Sequence, residues 1–309
     1  MSSAVNVVSR AMKARHVSIC ICTYKRPALL LRLLKALEGQ ETDGSFSYSV
    51  VVADNDANRS AETTVADFAH EASIEVAYCC ETNQNIALAR NAALRQAAGE
   101  LIGFIDDDEF PVEDWLIRMV RMLDDPKFSG VLGPVRPHFE EEPPEWIVKG
   151  GFCDRPEHST GKILAWGECR SGNLLFRRKL IDGDDEPFDA KFGNGGEDME
   201  FFLQMTEAGH VFVWCNEAIA YESVPPSRLT RRFMLRRALL RGKNILKQTT
   251  GRWRKVLVSL VAAPIYLVLA PLLLIRGQHW FMKYCIKLCD HSGRLLAIVG
   301  LNPISDRGI

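Results

Sequence analysis

The chain has 309 residues, of which 47% are hydrophobic and 25% are charged, and these proportions exclude disordered, collagen-like and disulfide-scaffold proteins. Its net charge of −1 conceals a segregation: residues 1–222 carry 22 basic and 37 acidic side chains, a net charge of −15, whereas residues 223–309 carry 16 basic and 2 acidic ones, a net charge of +14. The length suits two domain-sized units, or one large α/β domain with an appendage.

The N-terminal extension, residues 1–16, contains no apolar core of the length that a signal peptide needs. We therefore expect the main body to stay in the cytoplasm. The 9 cysteines agree with a reducing compartment, because no CxxC pair is present to indicate a zinc site or a redox site.

Residues 17–105 alternate between strand-like and helix-like segments. Short runs rich in β-branched residues are followed by polar loops and by apolar patterns of helical period. This alternation predicts an α/β fold with a doubly wound, mostly parallel sheet. The predicted strands are residues 17–23, 47–53, 74–78 and 101–105, and the predicted helices are residues 27–37, 64–72 and 86–98.

Polar residues come directly after three of these predicted strands. In a doubly wound sheet, ligands bind at the carboxyl ends of the strands. Residues 23–26, 54–56 and 106–108 are therefore the candidate binding segments.

Asp106, Asp107 and Asp108 are the sharpest of these features. Carboxylates packed this closely repel one another, and burial would raise their pKa values, so a compensating cation is expected. A divalent ion, Mg²⁺ or Mn²⁺, that bridges carboxylate oxygens to a substrate diphosphate would supply the charge. The alternative is a solvated acidic turn that caps a helix beginning near Pro111.

Residues 130–222 are less regular, with predicted strands at 173–177 and 211–214 and a predicted helix at 198–208. The sequence GNGGEDMEF (193–201) places an acidic pair after a glycine-rich turn. One carboxylate of the pair would serve as a general base that deprotonates an acceptor hydroxyl. The alternative is an acidic N-cap, which the helix dipole favours.

The basic tail has two parts. Residues 223–255 contain eleven Lys or Arg and no Asp or Glu, and residues 256–275 then run without a charge. About 20 apolar helical residues cover a hydrocarbon core, and cytoplasmic membrane faces attract flanking cations, so we interpret 256–275 as a membrane-associated segment. A buried core helix is the alternative. Pro264 and Pro271 leave open whether the segment crosses or re-enters the membrane. The last residues are interpreted as an interfacial amphipathic helix or a packed terminal helix.

Five short motifs occur in order along the first 221 residues. They are VSICICTYKRP (17–27), VVVADN (50–55), NIALARNAAL (85–94), FIDDDE (104–109) and GGEDMEF (195–201). As a set they resemble inverting nucleotide-sugar glycosyltransferases of family two, which have the GT-A fold. The C-terminal half is similar to bacterial succinoglycan-type exopolysaccharide glycosyltransferases, which extend an oligosaccharide on a polyprenyl diphosphate.

This resemblance implies a role for each matching residue. Asp198 would be the catalytic base, and Asp108 with Asp106 would hold the divalent cation. Contacts to the acceptor or the diphosphate are also expected from Glu197, and from Arg228 and Arg231, which follow a Pro225-Pro226 turn and either close over the diphosphate as a lid or meet anionic lipid. The residues implied to bind the nucleotide sugar are Thr23, Tyr24, Arg26, Asp54, Asn85, Arg90, Asp106 and Asp107.

Two departures from the family pattern are visible. Many relatives carry a metal-binding His after the strand that follows the acidic pair, but this chain has Glu222 there, which is either a substitute ligand or an ordinary surface residue. Processive relatives carry a QxxRW motif, whereas the nearest string here is QTTGRW, in which Gln248 is one residue too far from Arg252. This spacing favours an enzyme that adds a single sugar.

The sequence as a whole predicts a GT-A catalytic domain at 17–222, made of a nucleotide-binding half (17–129) and an acceptor half (130–222). A basic juxtamembrane region (223–255) and a membrane segment with an amphipathic tail (256–309) would follow. The expected partners are a nucleotide-sugar donor of the UDP type, a lipid-linked glycan acceptor and membrane lipid at the cytoplasmic face, with no nucleic acid. A nucleotide-sugar-binding scaffold without turnover and a nucleotidyltransferase are the alternatives.

Overall fold

A computed structural model describes residues 15–193, 195–244 and 252–301. Most of the predicted N-terminal extension and the Gln248 of QTTGRW lie outside these ranges. Packing divides the described residues into two units. The first unit contains the residues up to Val135 together with Glu157–Ala220, and the second contains Arg136–Pro156 together with the residues from Tyr221 onward. Residues 136–156, which the sequence places in the acceptor half, thus pack with the C-terminal helices, and the predicted boundary at 222 stays a prediction.

The strands and helices follow one another much as the periodicity indicates. In chain order, the described strands are β1 Arg15–Thr23, β2 Phe46–Asp54, β3 Glu75–Cys80, β4 Leu101–Ile105, β5 Glu109–Pro111, β6 Gly130–Leu132, β7 Val135–Phe139, β8 Asn173–Arg177, β9 Phe212–Trp214 and β10 Ala220–Val224. The described helices are α1 Pro27–Glu38, α2 Glu62–Glu71, α3 Ile86–Gln96, α4 Trp115–Met122, α5 Glu145–Gly150, α6 Glu197–Glu207, α7 Arg231–Asn244, α8 Arg252–Leu272 and α9 Gln278–Ile298.

The first unit is built on a sheet with the strand order β3-β2-β1-β4-β8-β6-β9. β1 pairs in parallel with β2 and β4, β2 with β3, and β6 with β9, whereas β8 runs antiparallel to both of its neighbours. The predicted mostly parallel sheet is therefore confirmed.

Helices cover both faces of this sheet. Successive residues of a strand point to opposite faces, so each strand contributes side chains to the packing on both. On β1, Ile19 and Ile21 join a buried cluster with the apolar face of α1, including Leu30 and Leu34. Cys20 points the other way and joins a second cluster with the small residues of α3. Strands buried on both faces need apolar residues throughout, which explains the continuous run of β1.

Strand register places the polar strand ends together. Thr23 is paired with Asp54 across β1 and β2, and Cys20 is paired with Phe104 across β1 and β4. The loops after β1, β2 and β4 therefore begin at one edge of the sheet, as the sequence predicts.

The alternative interpretation of the three aspartates as a cap for a helix near Pro111 is wrong. β5 occupies Glu109–Pro111, and α4 begins only at Trp115. The aspartates form a turn between two strands, so their charges need another explanation.

The second unit is mainly helical. Ile147 of α5, Val224 of β10 and Met234 of α7 form its buried apolar cluster. α7 packs against α9 through glycines: a Cβ on Gly242 or on Gly293 would overlap the backbone of the facing helix. The close approach of α7 and α9 buries residues of both helices, so α9 fits the interpretation as a packed terminal helix.

The predicted membrane-associated segment lies in α8 and the turn after it. Trp253–Arg276 is 24 residues long, and the most apolar 18-residue window within it has a mean hydropathy of 2.5, so the segment is long and apolar enough to cross a membrane. Only 11% of its most apolar window is buried, which does not fit a core helix of this chain. Ser259 of α8 is buried, and its hydroxyl lies 3.0 Å from His291 Nδ1 on α9. The polar side of α8 therefore faces α9, while most of its apolar side chains stay uncovered.

Candidate active site

Asp107, in the loop after β4, is bound by the last residue of β1 and by a residue of the loop that follows β1. Thr23 Oγ1 donates a hydrogen bond to Asp107 Oδ2 at 2.8 Å, and Arg26 Nη1 donates to Asp107 Oδ1 at 3.0 Å. The same guanidinium nitrogen lies 3.2 Å from Asp108 Oδ2. Burial raises the pKa of Asp107 to about 6, although Arg26 opposes this shift. Two predicted donor-binding segments are thus brought into direct contact.

Tyr24 lies beside these contacts in the sequence and is half-buried. The next residue, Lys25, has a φ of 55°, a left-handed conformation that few residues other than glycine adopt, and its ammonium lies 5.0 Å from the Tyr24 ring centroid. Strain of this kind persists only where the surroundings stabilise it, as at a binding loop.

Arg90 of α3 links the aspartate loop to α6. Its Nε donates to Glu197 Oε1 at 3.3 Å, and its Nη2 lies 3.6 Å from Asp106 Oδ1. The guanidinium also packs on the rings of Phe104 and Phe188. Burial alone would lower the pKa of Arg90, but the two carboxylates raise it, so the side chain stays charged.

The acidic pair at the start of α6 has two different environments. Gly195 and Gly196 take φ values of 107° and 103°, which only glycine adopts easily, and they turn the chain into the helix. Glu197 is buried and its pKa is raised by that burial; its Oε2 has no hydrogen-bond partner among the described residues. Asp198 is only half-buried and accepts a hydrogen bond from the Met199 amide at 2.8 Å.

The N-cap of α6 is Gly196, so the acidic pair begins the helix itself rather than capping it. The alternative interpretation as an acidic N-cap is therefore wrong. Asp198 is the more solvent-accessible member of the pair, and its predicted role as a base stays a prediction.

Asp54 is fully buried at the end of β2. Its Oδ1 accepts from the Asp56 amide at 3.0 Å, and its Oδ2 accepts from the Ala61 amide at 2.7 Å and from the Tyr78 hydroxyl at 3.2 Å. Burial, and then the charge of Asp54, raise the pKa of Tyr78. Both carboxylate oxygens thus organise the loop after β2, and the predicted contact with a base stays a prediction.

Asn85 shapes the entry to α3, and its predicted contact with the nucleotide sugar stays a prediction. Its side-chain oxygen accepts from the Ala87 amide at 2.9 Å and from the Leu88 amide at 3.3 Å, which is an N-cap. Its side-chain nitrogen donates to the Ala190 carbonyl at 2.8 Å. Asn85 therefore fixes the start of the helix that carries Arg90.

Three predicted residues lie in the second unit. Glu222 is bound by two guanidinium groups: Arg155 Nη2 lies 2.5 Å from its Oε2, and Arg228 Nη1 lies 2.9 Å from its Oε1. Arg231 is exposed and donates to Gln278 Oε1 at 2.9 Å. The charge of Glu222 is thus compensated by arginines, an arrangement that needs no metal ion.

Residues of the aspartate loop fit a divalent cation by their chemistry. Carboxylate oxygens are the ligands that Mg²⁺ and Mn²⁺ prefer, and the Asp106 side chain is 44% exposed. A Cβ on Gly172 would lie 2.8 Å from Glu109 Oε1 and 2.9 Å from Asp106 Oδ2, so a glycine keeps space open beside both carboxylates. Within the part of the chain that the structure describes, no three His, Cys, Asp or Glu side chains form a ready metal cage. A cation here would need ligands from a substrate as well.

Sequence reasoning missed two buried polar residues beside the aspartate loop: Glu109, directly after it, and Asn173, which is paired with Ile105 across β4 and β8. Glu109 is buried, and its Oε2 accepts from the Asp106 amide at 3.3 Å. Asn173, at the start of β8, accepts from Trp115 Nε1 at 2.8 Å and donates to the carbonyls of Pro134 and Ala218. Glu109 is the final acidic residue of the motif FIDDDE, and that position was a signal for it. No local sequence signal marks Asn173, because its partners are distant in sequence.

Comparison with known proteins identifies the family that the motifs indicate. Residues 18–183 match the family described as Glycosyl transferase family 2. The succinoglycan biosynthesis protein ExoM of Rhizobium meliloti (strain 1021) is 30% identical over 302 residues, which cover 95% of this chain and 96% of that protein. The hyaluronan synthase of Pasteurella multocida is 24% identical over 249 residues, which cover 69% of this chain and 25% of that protein.

Solved structures show the same fold. The crystal structure of S. aureus TarS 1–349 in complex with UDP-GlcNAc has a TM-score of 0.54 and 16% sequence identity, and the match covers 94% of this chain and 93% of that one. The resemblance to family two and the GT-A-type fold that the motifs indicate are both confirmed.

Proposed function

The chain belongs to glycosyl transferase family 2, and we propose that it moves one sugar, with inversion, from a nucleotide-diphosphate sugar to a hydroxyl group of a glycan acceptor. The main observation behind this proposal is the pairing of Arg90 with both Asp106 and Glu197, which ties the aspartate loop to the helix that bears Asp198. One unit thus holds residues suited to a charged donor next to a residue suited to act as a base.

The donor is proposed to bind at the strand ends of the first unit. Arg26 would meet the diphosphate or ribose, together with Thr23 and Tyr24. Asn85 and Arg90 would shape the far side of the same pocket. TarS in complex with UDP-GlcNAc supports a UDP-linked sugar, because that protein has the same fold.

A divalent cation, Mg²⁺ or Mn²⁺, is proposed to be held by Asp106 and Asp108, while Asp107 faces the ribose. Such an ion, when bound, would stabilise negative charge on a departing diphosphate. Glu222 was predicted as a further ligand, but its two arginine partners already explain its charge.

Asp198 is proposed to remove the proton from the acceptor hydroxyl. As this proton moves to the carboxylate, the hydroxyl oxygen forms a bond to the anomeric carbon from the face opposite the nucleotide. The bond between that carbon and the diphosphate oxygen breaks, and its electron pair stays on the diphosphate. Attack from the opposite face inverts the configuration. Arg90 assists by holding Glu197, and with it the first turn of α6, in place.

The acceptor is proposed to be a lipid-linked oligosaccharide in the synthesis of an exopolysaccharide or another surface glycan. Two observations support this: the similarity to ExoM extends over nearly the whole chain, and α8 is apolar and largely unburied. The cationic flank before α8 favours the cytoplasmic face of the membrane, because positive residues are retained there.

A donor panel tests the proposal directly. The purified full-length chain in detergent should release a nucleoside diphosphate from one nucleotide sugar when a lipid-linked glycan fraction is added, and chelation of divalent ions should lower the rate. Donor binding without turnover across all acceptors would indicate a scaffold instead. Release of inorganic diphosphate from a nucleoside triphosphate would indicate a nucleotidyltransferase.

A further inference from the structure

The second unit contains a cavity of about 280 Å³ that the proposed reaction does not use. Four arginines line it, namely Arg155, Arg228, Arg237 and Arg241, together with the acidic residues Asp154 and Glu222. The lining therefore has a net positive charge. Because the cavity lies wholly within one unit, its shape depends only on the packing of that unit.

Three of these arginines have carboxylate partners. Arg155 and Arg228 bind the two oxygens of Glu222, and Arg241 makes a bidentate pair with Asp290, with Nε···Oδ1 at 2.9 Å and Nη2···Oδ2 at 2.8 Å. These pairs hold the guanidinium groups in defined positions around the cavity.

Arg237 differs from the other three. Among the described residues it has no hydrogen-bond or ion-pair partner, and its side chain remains accessible to solvent. Surrounding protein, and the charges of Arg228, Arg155 and Arg241, lower the pKa of its guanidinium, while Glu222 acts in the opposite direction. Four arginines against two acidic side chains leave the lining positively charged, and this arrangement favours an anion beside Arg237.

The type of anion follows from the hydrogen-bond donors of the cavity and from the apolar side chains in its wall. Planar guanidinium groups match phosphate oxygens with paired hydrogen bonds, and a diphosphate can engage more than one of them. The remaining wall includes Phe152, Phe233 and Ile286, which suit an apolar chain next to the charged group. The same unit contains α8, whose apolar side chains are exposed.

We propose that this arginine-lined cavity binds the diphosphate of an isoprenoid diphosphate, with Arg237 as the principal contact and Arg155 and Arg228 as further donors. The proposal deepens the proposed function, on which it rests, by locating the charged head of the lipid-linked acceptor in the second unit. Glu222 then serves to position Arg155 and Arg228 rather than to bind metal.

Calorimetry on the full-length chain in detergent micelles tests this. The probes are farnesyl diphosphate, inorganic diphosphate and farnesol, each titrated without any donor sugar. Farnesyl diphosphate should bind most tightly of the three. Arg237→Gln should weaken the binding of farnesyl diphosphate and of inorganic diphosphate about tenfold or more, since it removes charge-assisted hydrogen bonds. Farnesol binding should not change.

Arg236→Gln is the matched control, because it removes the same charge from the same helix at a residue that does not line the cavity. It should leave all three affinities unchanged. Arg237→Lys, which keeps the charge but loses the fork, should give an intermediate affinity and also keeps the test valid if Arg237→Gln does not fold. Equal effects of Arg236→Gln and Arg237→Gln, or no effect of either Arg237 variant, would overturn the proposal.

Failure here and failure of the proposed transferase reaction can be told apart. Binding of UDP to the first unit, measured in the same preparations, should be unaffected by Arg237→Gln. If donor turnover proceeds while farnesyl diphosphate does not bind, the cavity assignment is wrong and the transferase proposal stands.

Discussion

In the first unit a buried arginine, Arg90, lies between two carboxylates, whereas in the second unit a carboxylate, Glu222, lies between two arginines, Arg155 and Arg228. Arg90 and Glu222 are each compensated by two groups of opposite charge. The charge that is left over is negative around Arg90 and positive around Glu222. We propose that the negative charge left in the acidic loop of the first unit suits a cation, and that the positive charge left in the arginine-lined cavity of the second suits an anion. The same ion-pair chemistry would then prepare two sites for two different ligands.

This contrast gives structural content to the segregation of charge in the sequence. Net charges of −15 and +14 alone describe only an acidic and a basic region. In the structure, part of the negative charge of the first unit is concentrated at the strand ends, and part of the positive charge of the second unit is concentrated at the cavity. The low dielectric at such places strengthens the effect of a charge on a bound ligand.

The largest expected effect concerns the apolar surface of the second unit. Val261 and Val268 of α8 are 66% and 67% exposed, so replacing both with Lys should leave packing intact. Each charge should cost roughly 2.5–3.5 kcal/mol in a hydrocarbon environment, and the variant should no longer float with phospholipid vesicles. The control replaces both residues with Leu, which should still float. A double-Lys variant that stays with the vesicles would show that α8 is not the membrane contact.

The next effect concerns the proposed base in the first unit. Asp198→Asn removes the proton acceptor and should lower the rate of transfer by about 10²- to 10⁴-fold while donor binding is retained. Nucleoside diphosphate release measures the rate. Glu200→Gln, in the same first turn of α6, should lower it far less. Unchanged turnover in the Asn variant would refute the assignment of Asp198.

A smaller effect is expected from breaking the buried ion pair. Arg90→Met leaves Glu197 buried without its cation and should lower the free energy of unfolding by about 3 kcal/mol. Urea denaturation measures this. Arg95→Met on the same helix breaks an exposed pair with Glu186, so its effect should stay within about 1 kcal/mol. Equal losses in the two variants would show that burial of Arg90 is unimportant.

The smallest effect is a dependence of stability on pH. Burial raises the pKa of Glu197, so the folded chain takes up a proton there more readily than the unfolded chain does. The resulting stability is present below the ordinary pKa of 4.5 and is lost as the pH rises through the raised value. Relative to Glu197→Gln, which cannot titrate, the wild-type chain should become less stable as the pH increases. This assignment would be contradicted if the free energy of unfolding of the wild-type chain, relative to that of Glu197→Gln, stayed constant or increased as the pH rises.

Much of the first unit was predictable because its signals are local. Residues 173–177 were predicted as a strand and form β8, and the buried run at 17–23 lies within β1. Periodicity and β-branched composition report local burial, which is why these elements are recovered. The antiparallel direction of β8 was not predicted, since it depends on how a long connection returns to the sheet.

The partners of the charged residues were much less predictable. Asp54 was predicted to contact a ligand from the end of a strand. It is the last residue of β2, yet both of its carboxylate oxygens bind groups of its own loop and of β3. Likewise, a missing His made Glu222 a candidate ligand, but its partner Arg155 is 67 residues away in the sequence. Such pairings arise only when distant segments pack.

By itself the sequence determined the strand–helix order, the polar strand ends, the apolar helix and the opposite charges of the two regions, because each of these depends on neighbouring residues or on simple composition. Only the tertiary structure decided which charges meet: Arg90 with Glu197 in the first unit, and Arg237 beside the paired arginines in the second. The physical reason is that Coulomb interactions depend on distance and burial, and both are set by long-range packing rather than by spacing along the chain.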